Sequence, residues 1–259
     1  MKKIKVVTLY AFATAGAYLF FFFGGFCASL AGAEQAHPRE KLASYTTYFN
    51  QNDGGRCENI RLAAEKLNGL AVQPYGELSF NGAVGPRTEK NGYKKAKVIV
   101  QGEFVEGIGG GVCQVSTTLY NAALLSGLGV IEYHPHSMRV GYVPPSRDAM
   151  VTAWCDLRLY NPYSETVYIS STVGQGYLRI TLCGKPDGNE YVLESRTIAE
   201  IPPEPSVEEG ETDGEAGIGQ PGLKSECYLK TYKKGVLLSM KRLRQDEYQP
   251  QRVGTRKKS

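Results

Sequence analysis

With 259 residues, 42% of them hydrophobic and 22% charged, the chain has the make-up of a globular protein with room for one sizeable domain and appendages. That balance excludes a disordered or low-complexity chain, which could not bury enough apolar surface to fold. The formal charge of +4 names no partner until it is divided along the sequence.

Lys2, Lys3 and Lys5 precede an uncharged, largely apolar stretch from Val6 to Ala33 that contains Leu19-Phe20-Phe21-Phe22-Phe23. A bilayer needs about 20 predominantly apolar residues. Residues 6–33 are therefore predicted to form a transmembrane helix, with residues 1–5 cytoplasmic because lysines favour that side. Ala31-Gly32-Ala33 also has the form of a signal-peptide cleavage site. A secretory apolar core runs only about 7–15 residues, which favours a retained anchor. Either way the working domain is expected outside the cytoplasm, held at the cell membrane by one pass, or secreted if the segment is cleaved.

Ser44 to Phe49 reads as a short strand and Asn50 to Gly55 as a turn. A helix is predicted over 56–67, with Ile60, Ala63, Ala64 and Leu67 on one face and Asn68-Gly69 as its stop. Turns and short strands follow to Phe104. A second helix is predicted over 113–125, carrying Val115, Leu119, Ala122 and Ala123 as an apolar stripe and ending at Gly127-Leu128-Gly129. Beyond it "VIEYH", "MRVGYV", "VTAWCDLRLY", "ETVYISSTV", "YLRITLC" and "YVLESRTIAEI" read as strands. The expected fold class is α+β, a few helices packed on a mainly antiparallel sheet, with the main domain over 44–200.

From Pro202 to Gly222 there are six acidic residues and no basic ones, the composition of a flexible linker over 201–222. Residues 223–259 carry 11 Lys and Arg against three Asp and Glu, and a hairpin turn is predicted at Lys233-Lys234-Gly235. This tail reads first as a solvated segment, and second as an attractor of anionic wall polymer or membrane headgroups. No segment resembles a nucleic-acid-binding fold.

The chemistry concentrates in "GIGGGVCQVSTTLYNA", residues 107–122. A cysteine in the first turn of a helix lies where unpaired amides and the helix dipole favour its thiolate. The same amides can hold an oxyanion, and glycines ahead of the thiol let a substrate approach closely. A base must come from His134 or His136 in "YHPHSMRV", and spacing does not choose between them. Asp148 or Asp156 could orient that base, Gln114 could donate to an oxyanion, and Ser116 or Thr117 could touch a substrate amide. The plainer readings are a packing turn beside a buried structural cysteine, or a metal held by Cys113, His134 and His136. No CxxC or CxxH spacing supports a metal site, and no cofactor is expected. Outside the apolar segment stand Cys57, Cys113, Cys155, Cys183 and Cys227, an odd number that fits paired thiols plus one left free, with Cys113 as the free one.

The motifs "SFN", "VGPRT", "NGY", "GGGVCQVSTTLYNA", "HS", "YVP" and "RDA" occur here in the order of the VanW family, named for an accessory protein of vancomycin-resistance clusters, which the chain resembles strongly over 56–161. It departs from the family pattern at Pro145-Ser146 and at Pro74-Tyr75-Gly76, where turn geometry is affected. The tail resembles the small five-glycine β domain associated with cell-wall adhesion. Some members of the family resemble L,D-transpeptidases, which cross-link peptidoglycan stem peptides through a cysteine. The resemblance implies Cys113 as nucleophile, His136 as base and Asp148 as its orienter. It further implies Asn81, Arg87, Gly109, Gly110, Gly111, Gln114, Ser116, Thr117, Tyr120 and Tyr142 as substrate contacts. Peptidoglycan stem peptides are the expected partner. A non-catalytic peptidoglycan- or glycopeptide-binding accessory protein is the alternative.

Overall fold

The computed structural model describes residues 40–100, 103–203 and 220–250. The predicted transmembrane helix, most of the acidic linker and the last nine residues lie outside these. Among the described residues no helix is long and apolar enough to cross a membrane.

In chain order the elements are β1 (Glu40–Tyr48), α1 (Gly54–Leu67), β2 (Ala71–Val72), β3 (Glu77–Ser79), α2 (Phe80–Val84), β4 (Lys95–Val100), β5 (Glu103–Ile108), α3 (Val112–Leu125), β6 (Gly129–Glu132), β7 (Arg158–Tyr160), β8 (Val167–Gly174), β9 (Tyr177–Gly184), β10 (Glu190–Ile201), β11 (Gly222–Lys233) and β12 (Val236–Tyr248). Strands order as β1-β9-β8-β2, β3-β7-β6, β4-β5 and β10-β11-β12. Every one of these pairings is antiparallel. The α+β class is thus the one observed.

The core forms where α1 and α3 meet the β1-β9-β8-β2 sheet. Alternation along β8 and β9 turns Val167, Ile169, Leu178, Ile180 and Leu182 inward. Against them α1 presents Ile60, Ala63, Ala64 and Leu67, spaced for one helix face. Asp53 caps α1 by accepting the Arg56 amide at 3.1 Å.

The helix α3 differs from its expected amphipathic form. Only Cys113 and Leu125 escape full burial, so its polar side chains must find partners inside. Thr118 donates to the Gln114 carbonyl (2.6 Å) and Asn121 to the Thr117 and Arg147 carbonyls (2.8 and 2.7 Å). Ser116 donates to the Ala149 carbonyl at 2.6 Å, and Thr117 accepts the Ala149 amide at 2.9 Å.

Those last bonds explain a correction. The predicted strand over 138–143 is loop, and the one predicted over 151–160 is strand only at Arg158–Tyr160. Pro144 and Pro145 offer no amide to a ladder, and the backbone from 136 to 149 bonds to side chains instead of to a neighbouring strand. The long loop between β6 and β7 is thereby wrapped over α3.

Strand β10 pairs along its length with β11, and β11 with β12. The β11–β12 turn is at Lys234 and Gly235, both at positive φ. One end of this sheet is buried through Leu223, Ser225, Cys227, Arg244, Asp246 and Tyr248. Gln249 donates its amide to the Ser137 carbonyl at 2.7 Å, which fastens the end of β12 to the loop over α3.

Candidate active site

The glycine turn is built by exclusion of side chains. Gly109 and Gly111 lie at φ +86° and +107°, left-handed angles that L side chains rarely adopt. A methyl group at Gly110 would stand 2.6 Å from the Lys97 carbonyl oxygen and 2.9 Å from the Ala96 Cβ, so β4 leaves no room for one. Asn59, fully buried on α1, donates to the Gly110 and Lys94 carbonyls (2.9 Å each) and accepts the Lys94 amide (2.7 Å). It pins the turn to β4. Nothing in the motif spacing singled out Asn59; its signal was a polar residue on an otherwise apolar helix face.

From this turn α3 starts, with Gly111 as its cap and Cys113 in its first turn. The amides of Val112 and Gln114 bond to the Gly109 and Gly111 carbonyls (3.1 and 3.0 Å). The Cys113 amide, between those two in the helix's first turn, has no acceptor four residues back within the helix. The Cys113 Sγ lies 3.4 Å from the Val151 carbonyl oxygen.

The loop over α3 supplies the other two groups. His136 Nδ1 and the His136 backbone amide both reach Asp148 Oδ2 at 2.7 Å. Engaging Nδ1 leaves Nε2 as the ring nitrogen available to Cys113, whose sulfur is close enough for each group to shift the other. His134 instead holds Glu132 at 2.9 Å, so of the two histidines it is His136 that lies beside Cys113. Asp156 is committed elsewhere, accepting from Ser79 Oγ (2.5 Å) and from the Asn81 amide (2.8 Å) at the start of α2.

Asp148 is almost wholly buried and accepts on both oxygens. Tyr248 donates its hydroxyl to Oδ1 at 2.5 Å, and Arg244 reaches Oδ1 at 3.3 Å and the Asp148 carbonyl at 2.6 Å. Arg244 in turn donates to Asp246 at 2.6 Å and stacks over the Tyr133 ring, 4.6 Å from its centroid. Arg244 and Tyr248 were missed from sequence because the tail's excess of Lys and Arg reads as a solvated face.

The electrostatics follow from this nesting. Burial pushes the Asp148 carboxyl up, but its bonds to His136 and the Arg244 and Tyr248 donors outweigh that and hold it below the usual carboxylate range. Burial pulls His136 down, yet Asp148 and Cys113 together raise it to about 9. Burial pushes the Cys113 thiol up, and the adjacent imidazole brings it below its ordinary value. The two groups thus stabilise each other's charged forms, the imidazolium favouring the thiolate and the thiolate the imidazolium.

Cys113 and His136 open onto a cavity of about 960 Å³, with Asp148 buried behind the imidazole; the lining includes Asn81, Arg87, Gly109, Gly110, Gly111, Gln114, Tyr142 and part of the β4–β5 hairpin. Three expected contacts do not reach it. Ser116 and Thr117 face the loop over α3, their hydroxyls spent on Ala149, and Tyr120 packs against Tyr133, ring centroids 5.9 Å apart, beneath Arg244. Gln114 lines the cavity, but its amide is occupied. Oε1 accepts from Arg56 at 2.7 Å, and Nε2 donates to Thr47 Oγ1 and the Tyr48 carbonyl at 3.0 Å each, which removes it as an oxyanion donor. All five described cysteines are free thiols. Among the described residues no group of three or more His, Cys, Asp or Glu stands where it could hold a metal ion.

Comparison with known proteins places this geometry. The family model described as VanW like protein matches residues 55–183. The protein described as "Uncharacterized protein YoaR" of Bacillus subtilis (strain 168) is 41% identical over 169 residues, 64% of this chain and 54% of that protein. "Vancomycin B-type resistance protein VanW" of Enterococcus faecalis (strain ATCC 700802 / V583) is 27% identical over 164 residues, 58% of this chain and 60% of that protein. The chain therefore spans little more than half the length of these curated relatives. No solved structure matches it.

Proposed function

Because the chain belongs to the VanW family, and its family segment brings a thiol, an imidazole and a carboxylate together at an open cavity, we propose that it is an extracytoplasmic cysteine acyltransferase acting on peptidoglycan stem peptides. The observation that carries this reading is His136 lying between Asp148 and Cys113, at the start of α3. A structural cysteine needs no imidazole raised by a buried carboxylate beside it. The Enterococcus relative, named for resistance to vancomycin, supports a role at the cell wall.

In the proposed reaction the Cys113 thiolate adds to the diamino acid's own carbonyl carbon, the one that joins it to the terminal D-residue of a donor stem. The oxyanion forms at the Cys113 amide, in the first turn of α3. His136 gives its proton to the departing amine of the terminal D-residue, and the C–N bond breaks to leave a thioester on Cys113. An acceptor amine then adds to the thioester and loses a proton to His136, and the thiolate departs with the starting protonation restored. Water in place of the amine would make the same site a carboxypeptidase.

Intact-mass analysis of the full chain incubated with a tetrapeptide stem tests the proposal. The expected result is an adduct equal to the donor less its terminal D-residue, present in the wild type and missing in Cys113→Ala. A donor that binds yet leaves no adduct would overturn it in favour of a stem-peptide-binding accessory protein.

A further inference from the structure

Four cations line the cavity, Arg56, Arg87, Lys97 and Arg139, against a single acid, Asp53. Asp53 already accepts the Arg56 amide as the cap of α1. None of the four cations forms an ion pair among the described residues. A thiolate with its imidazolium is neutral as a pair and offsets none of this charge.

Two of the four are partly buried and fixed in place. Arg87 donates to Asn81 Oδ1 at 2.7 Å and to the Thr152 carbonyl at 2.8 Å. Arg56 donates to Gln114 Oε1 at 2.7 Å and lies over the Tyr142 ring at 6.0 Å. Every acceptor is neutral, so the guanidinium charges are oriented but not compensated. Their stems flank the glycine turn: a methyl group at Gly109 would come within 3.2 Å of the Arg87 Cβ, and one at Gly111 within 3.0 Å of the Arg56 Cγ. A guanidinium held in this way presents its remaining N–H groups as a planar fork suited to a carboxylate.

We propose that the cavity selects an acidic peptide, with free carboxylates of the acyl donor seated on Arg56 and Arg87 at the two sides of the glycine turn. The inference rests on the acyltransferase reading only for the choice of peptide; the missing counter-charge stands without it. Applied to a stem peptide, it means that the form with free carboxylates on D-Glu and the diamino acid is preferred over the amidated form.

The experiment measures binding apart from chemistry. Full-length Cys113→Ala is titrated calorimetrically with the tetrapeptide L-Ala-γ-D-Glu-meso-diaminopimelate-D-Ala, and with the same peptide carrying amides at the D-Glu and diaminopimelate carboxyls. Amidation is expected to weaken binding by at least about tenfold. Arg87→Gln and Arg56→Gln, checked for unchanged melting temperature, should each erase most of that difference while affecting the amidated peptide little. Equal affinity for the two peptides overturns the inference, as does displacement of the acidic peptide by inorganic phosphate at matching concentration. The two readings fail separately. Thioester formation that ignores amidation removes only the clamp, whereas discrimination between the peptides with no adduct in the wild type removes only the acyltransferase.

Discussion

His136 is drawn in opposite directions by its surroundings, and the outcome sets the chemistry of Cys113. Burial favours the neutral ring, but Asp148 and the sulfur favour the imidazolium and raise it to about 9. With the thiol held below its ordinary value, alkylation of Cys113 by iodoacetamide is expected to stay fast at pH 7 and to fall only at lower pH. His136→Ala removes the charge that opposes burial, so the acid limb of the profile should move upward and the rate at pH 7 should drop by at least about tenfold, one pKa unit or more. Mass-resolved alkylation between pH 5 and pH 10 checks this, and an unmoved limb would mean that His136 does not govern the thiol. The same ring contributes to stability with a definite sign. Its folded value lies above the ordinary 6.5, so the contribution is complete below 6.5 and is lost as the pH rises through about 9.

At the scale of elements, the join between β5 and α3 leaves no room for a side chain at its centre. Gly110→Ala places its methyl against the Lys97 carbonyl and Ala96, which belong to a paired strand and cannot swing aside as a long side chain could. A loss of about 1–3 kcal/mol is expected from such overpacking. Gly54→Ala, where an added methyl meets nothing within 4 Å, should stay within about 0.5 kcal/mol of the wild type. Paired denaturant melts of the two variants test the contrast. Elements with local signals were legible in the sequence. The two long helices begin within two residues of their expected starts and both end where expected, because caps, glycines and 3.6-residue spacing are local features. The loop over α3 was not legible, since its β-branched and aromatic residues look like strand. What keeps it irregular is hydrogen bonding to Ser116, Thr117 and Asp148, partners that only the tertiary fold supplies. Likewise Cys113 and His136 could be named from motifs, whereas the inward facing of Ser116, Thr117 and Tyr120 depends on α3 being enclosed on every side.

At the scale of the whole molecule, the family match ends at residue 183, yet two of the donors that hold Asp148 come from residues 244 and 248. Tyr248→Phe keeps the packed ring and deletes one hydrogen bond to a buried carboxylate, a loss of about 1.5–3 kcal/mol. Asp148 should then titrate higher and support the imidazolium less. The fall of activity on the alkaline side, set by His136 near 9 in the wild type, is expected to move to lower pH. A role confined to packing would lower the melting temperature and leave the pH profile in place. The tail's basic composition concealed this contribution because, among the described residues, most of its charges are exposed, while the last residues of β12 are drawn under the loop over α3.

That arrangement gives the molecule an order of assembly. The donors on β12 are synthesised about a hundred positions after the carboxylate they secure. A chain made only as far as the loop over α3, or one cut ahead of β12, lacks the clasp of Arg244 and Tyr248 on Asp148. The charge of Asp148 is thus secured only once β12 has been made and docked.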